Sequence, residues 1–152
     1  MQEATESRSV PVHLWIVGVL LTLWNGFGCY DYLMTRTKGA AYINEMMHTT
    51  DGDAMMAYIN GFPIWVSAAW GFGVWGGLAG AILLLMRNRH AVTAFALSSA
   101  GAVVGLGYQL LNPSGIAEMN EGINRIMPYV IIAAAIGSFL YARAQKASGA
   151  LR

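Results

Sequence analysis

The chain has 152 residues, 56% of them apolar and 11% charged, against about a quarter charged in an average soluble domain. A formal net charge of +1 provides no basic field of the kind that draws nucleic acid. The single cysteine, Cys29, excludes an intrachain disulfide.

Residues 1–10 are polar and short. The first long apolar run is 10–34, opened by Pro11, whose missing N–H suits a first helical turn. It is too long for the core of a signal peptide and no small-x-small cleavage site follows it, so it is expected to remain as a helix. The second run is 62–86, with Pro63 in the same role as Pro11; the third is 91–111; the fourth is 126–144, with Pro128 near its start. Each has the length of about 20 residues that a helix needs to cross a hydrocarbon core. None alternates with period two, as a barrel strand would. The fold expected is therefore all-α: one integral membrane domain, a four-helix bundle.

The connections refine it. Arg87-Asn88-Arg89-His90 alone joins the second and third runs, which predicts a tight antiparallel hairpin. The loop 35–61 is long enough for structure of its own. Tyr42, Ile43, Met46 and Met47 share a helical face, as do Met55, Met56 and Ile59 beyond the turn Thr49-Thr50-Asp51-Gly52. The loop 112–125 opens on the turn Asn112-Pro113-Ser114-Gly115 and continues with a stripe of Ile116, Met119 and Ile123. Both loops read as short amphipathic helices on the membrane surface or capping the bundle.

Six basic residues (Arg8, Arg87, Arg89, Arg143, Lys146 and Arg152) lie on the side of the termini and the short loop; three (Arg36, Lys38 and Arg125) lie on the other. The basic side is expected to face the cytoplasm, so both termini are cytoplasmic and the two longer loops face outward. The cytoplasmic side then carries only a short loop and unstructured tails.

The stretch PVHLWIVGVLLTLWNGFGCYDYLMT at 11–35, with Gly61-Phe62-Pro63-Ile64-Trp65-Val66 and the run from Trp70 to Gly80, resembles an uncharacterised proteobacterial family of small four-helix membrane proteins. Some of its members carry the label sugar transporter. The resemblance implies a bacterial inner-membrane location and brings no activity and no site residues.

Chemistry-bearing residues are few. Gly73 with Gly77, Gly76 with Gly80, and Gly101 with Gly105 are small-xxx-small pairs that let helix backbones approach closely, within the bundle or at an interface with another chain. Asn25, Asp31 and Tyr32 in the first run, and Tyr108, Gln109 and Asn112 at the end of the third, form a polar set near the outer ends. Asp31 is the one ionisable group well inside a run, and such groups are costly and often functional. Tyr42, Met46, Tyr58 and Asn60 of the first loop are placed to roof that set. Trp24, Trp70 and Trp75 lie deep enough to line a quinone or pigment groove, while Trp15, Trp65 and Tyr141 fall at the interfaces. His13 and His90 lie at matching depth, the spacing a haem would need, but no metal-ligand pattern and no ordered Ser-His-Asp set occurs. Gly71-Phe72-Gly73-Val74-Trp75-Gly76 matches G-x-G-x-x-G in letters only, since it sits in a membrane helix.

The sequence therefore points away from an enzyme, a metal site and a bound cofactor. It points to an accessory or structural membrane subunit that self-associates or docks on other membrane subunits in the lipid bilayer. The competing reading is a small oligomeric transporter of a polar solute, its outward-facing site near Asp31. The orientation is open to test by thiol labelling of intact cells. Asp51→Cys should react with a membrane-impermeant reagent and Ser148→Cys should not; the reverse pattern means the chain is inverted.

Overall fold

The structure, a computed structural model, describes residues 10–152; Arg8, counted above on the basic side, lies outside them. The described residues contain seven helices and no strand: α1 (Val12–Lys38), α2 (Ala40–Met47), α3 (Gly52–Asn60), α4 (Ile64–Leu85), α5 (Ala91–Leu111), α6 (Ala117–Asn120) and α7 (Gly122–Ala147). Of these, α1, α4, α5 and α7 are long and apolar enough to cross a membrane. α1 starts after Pro11 and α4 after Pro63, as their sequences require. α1 runs one turn beyond its apolar run, to Lys38, and Gly39 then turns the chain with φ 55°.

The two loops differ. The first forms α2 and α3, which bury Tyr42, Ile43 and Met55, whereas Met46 of the expected stripe is exposed. The second forms only the single turn α6, none of it buried. Pro113 and Gly115 break the chain before it, and the extended Glu121 and Gly122 (φ 55°) break it again. α7 then begins four residues before the predicted span, which places Pro128 inside the helix.

α4 and α5 form the expected antiparallel hairpin, and the glycine pairs explain how closely they lie. A Cβ added at Gly101 would come within 2.5 Å of the Ala69 carbonyl and the Gly73 nitrogen. One added at Gly76 would meet the Ala94 carbonyl at 3.1 Å, and one at Gly80 would meet the Phe95 ring at 2.7 Å. Backbone thus lies against backbone, where van der Waals contact replaces the hydrophobic drive that lipid removes. Ser98 Oγ crosses the seam and donates to the Gly73 carbonyl at 2.6 Å.

α1 packs on α4 and α7 packs on α5. Gly18 receives the Leu85 side chain, and Cys29 Sγ reaches the Val74 carbonyl at 3.6 Å. Ser99 Oγ lies 2.9 Å from the Ala135 carbonyl of α7 and 2.8 Å from its own helix at Phe95. The bundle is closed at the end that carries the α4–α5 turn, hereafter the hairpin end. There Leu14, Ala81, Leu84, Ala91, Phe95 and Ala142 form one core with Ala150 and Leu151. The segment after α7 is thus docked, contrary to an unstructured tail. Arg152 N donates to the Arg87 carbonyl at 2.7 Å and Arg89 N to the Arg152 carbonyl at 2.8 Å. Arg87, with φ 57°, also donates through Nε to the Ala150 carbonyl at 3.0 Å.

The seam is testable with single methyl groups. Gly101→Ala should destabilise the bundle by about 1–3 kcal/mol, because backbone must move to admit it. Gly137→Ala meets nothing within 4 Å and should be neutral or slightly stabilising through helix propensity. Unfolding in detergent measures both; equal effects would mean that the seam is not closely packed.

A candidate ligand cleft between α1 and α7

Because α1 and α7 attach to different helices of the hairpin, they do not pack along each other. They meet at the hairpin end, where the His13 ring nitrogen Nδ1 and the Tyr141 hydroxyl are 2.6 Å apart. Toward the other end, that of the long loops, a cleft of about 190 Å³ remains. Its floor is made of small residues from the seam: Gly73, Gly101, Ala102 and Gly105. Trp24, Phe27 and Gly28 of α1 form one wall; Ile131, Ala134 and Ala135 of α7 form the other. Trp70 and Phe62 stand toward the loop end, Phe95 toward the hairpin end. From Phe95 to Gln109 along α5 the cleft extends about 21 Å at 1.5 Å per residue.

Three residues of the predicted polar set line this cleft together: Asn25, Asp31 and Gln109. They make no hydrogen bond to one another. Asn25 Nδ2 donates to the Leu21 carbonyl of its own helix at 2.8 Å, and its carbonyl end lies beside Gly77, where a Cβ would collide with it. Asp31 Oδ1 accepts from the Tyr42 hydroxyl at 2.9 Å. The Gln109 side chain makes no hydrogen bond among the described residues. No described cation pairs with Asp31 either. Arg36, one turn away on α1, instead lies over the rings of Tyr32 and Trp70, 5.7 Å and 5.1 Å from their centres.

The other three lie elsewhere. Tyr32 packs edge-on against Trp70. Tyr108 packs against Phe62 and Trp65. Asn112 binds Tyr58 through its carbonyl at 2.6 Å and its own helix through Nδ2. Tyr32, Tyr108 and Asn112 thus build aromatic and capping contacts at the loop end. Of the expected roof, Tyr42 reaches Asp31, while Tyr58 closes on Asn112; Met46 and Asn60 are exposed and line nothing. Trp24 and Trp70 line the cleft and Trp75 is exposed. The glycine pairs face helices of the same chain: Gly73, Gly76, Gly80 and Gly101 at the α4–α5 seam, Gly77 toward α1, and Gly105 at ordinary distance from Trp70.

Ser98 and Ser138, also in the lining, escaped the sequence reading. Their hydroxyl protons are committed to the Gly73 and Ala134 carbonyls, so they offer only lone pairs to a ligand. A second, more polar cleft lies at the loop end among Tyr58, Asn120, Asn124, Arg125 and Tyr129, and Gln109 lines both. Among the described residues no three His, Cys, Asp or Glu side chains converge as metal ligands. Comparison with known protein families, with curated proteins and with solved structures finds no match.

Burial first, then the hydrogen bond to Asp31, holds the Tyr42 phenol above its ordinary range. A group whose folded pKa is raised stabilises the fold fully below its unfolded pKa, here about 10, and loses that contribution as pH rises beyond it. The bundle's melting temperature should therefore decline above about pH 10. Tyr42→Phe should lower stability at neutral pH by about 1.5–3 kcal/mol, as for a bond to a charged acceptor, and flatten the alkaline decline of the melting temperature. A melting series between about pH 8 and 11 checks both; an unaltered alkaline slope would mean that Tyr42 does not carry it.

Proposed function

We propose that the protein is a non-catalytic membrane protein that binds a small ligand in the α1–α7 cleft, as a transporter or receptor does. The observation that carries this reading is that Asn25, Asp31 and Gln109, without bonding one another, line one cleft walled by four helices. A largely apolar cavity with a few converging polar groups is the usual form of a small-molecule site. The positive-inside distribution supports an inner-membrane location with the loop end, and so the mouth of the cleft, facing outward. The transporter label carried by proteins that residues 11–35 resemble is in keeping with this. The accessory-subunit reading that the sequence puts first rests on a surplus of glycine faces, the amphipathic loops and the lack of catalytic groups; four of the six glycines lie at the seam between α4 and α5 of one chain.

The cleft reading predicts a co-purifying small molecule. Protein extracted gently from its native membrane should carry one compound near one per chain, detected by mass spectrometry of the organic extract. Ala134→Phe, which fills the cleft from the α7 wall, should lose that compound while keeping its helical circular dichroism and bulk lipid. Identical extracts from both proteins would leave the cleft without a ligand.

A further inference from the structure

We propose that the ligand is a lipophilic organic cation that enters from the bilayer through the gap between α1 and α7. This rests on the cleft being a binding site and adds its charge and its route of entry.

The charge follows from what Asp31 lacks. Ionisable groups within membrane spans are usually paired, because an isolated charge in a poor dielectric is expensive. Asp31 has one neutral hydrogen-bond donor, the Tyr42 hydroxyl, and no ion pair among the described residues. The nearest basic residue along the helix, Arg36, is held on aromatic rings. The cleft therefore carries one formal negative charge that no described residue pairs with. Gln109 and Asn25 add neutral amides, which bring no positive charge of their own. Trp24, Phe27 and Phe62 supply ring faces, and a desolvated cation over such faces gains further attraction. An anionic head would face the like charge of Asp31.

The route follows from the packing. The hairpin end is closed by the Leu14–Leu151 core and by the His13–Tyr141 contact. Beyond that end α1 and α7 do not pack along each other, and Trp24 and Phe27 at that edge are 44% and 54% exposed. In a membrane those surfaces meet lipid, so a guest dissolved in the hydrocarbon reaches the cleft without crossing the polar loops. The apolar length of the cleft toward Phe95 and Ala135 then accepts its body, and the charge stays with Asp31 toward the loop end.

The test uses the full chain in phosphatidylcholine nanodiscs with two probes of equal shape and opposite charge, tetraphenylphosphonium and tetraphenylborate. Binding is measured above that of empty discs. The phosphonium should saturate near one per chain and the borate should not bind specifically. Asp31→Asn, which keeps an acceptor for Tyr42, should weaken phosphonium binding at least tenfold, and Ala134→Phe should abolish it. Equal phosphonium binding by wild type and a folded Asp31→Asn overturns the proposal. So does specific borate binding equal to or above that of the phosphonium in the wild type, a result that needs no variant to fold. If borate binding is itself lost in Ala134→Phe, the cleft remains a site and only its charge preference is wrong. If neither probe exceeds empty discs, the cation proposal fails, and the co-purified compound decides separately whether the cleft binds anything.

Discussion

The close approach of α4 and α5 governs the rest of the molecule. Gly73, Gly76 and Gly80 on one helix and Gly101 on the other bring the backbones so near that the pair acts as a single slab. A slab has two long edges. α1 takes one by packing on α4, and α7 takes the other by packing on α5. The same small residues that pull the hairpin together leave no side chains to fill the space above it. The cleft is thus in part a consequence of the seam: Gly73 and Gly101 in its floor are small because the backbones of α4 and α5 meet there. α1 and α7 converge only where larger residues, Leu14, Leu84 and Phe95, and the docked segment through Leu151 give them a shared core.

That asymmetry gives the bundle one fixed end and one open end. At the fixed end, the turn between α4 and α5 is locked by Arg152 and Ala150 through three hydrogen bonds to Arg87 and Arg89. At the open end the helices are tied by contacts made from loops: Tyr42 to Asp31, Tyr58 to Asn112. Such contacts involve short helices with few buried residues, the kind of element that opens locally at low cost.

The four long helices were legible because lipid imposes a length and a composition that little else in a sequence imitates. The boundaries that shifted did so for local reasons: α1 gained a polar turn through Lys38, and α7 gained Gly122 to Arg125, neither of which hydropathy rewards. The failure of the stripe Ile116, Met119, Ile123 to make a helix of any length is a matter of breakers outweighing periodicity. In the site, Asn25, Asp31 and Gln109 could be picked out because polar groups are rare in such runs. Tyr32, Tyr108 and Asn112 were picked for the same reason, yet rotation about the helix axis puts them on other faces. Which helices neighbour each other decides this, and no pattern within a single helix encodes it. The docking of residues 150 and 151 was likewise invisible, since a two-residue apolar segment has no period to read.

Asp31 itself argues that the cleft is more than a packing defect. Nothing in the fold requires a carboxylate there. An asparagine carbonyl would still accept from Tyr42, more weakly than a carboxylate, and would carry no charge to desolvate. Asp31 lies about two turns before the end of α1, outside the last turn in which the helix dipole favours Arg36 and Lys38. At about 28 Å from the start of the helix it approaches the interface, so its cost is reduced without turning into a gain. A carboxylate with no ion pair among the described residues, placed where four helices leave a gap, is explained by something that enters the gap and answers its charge.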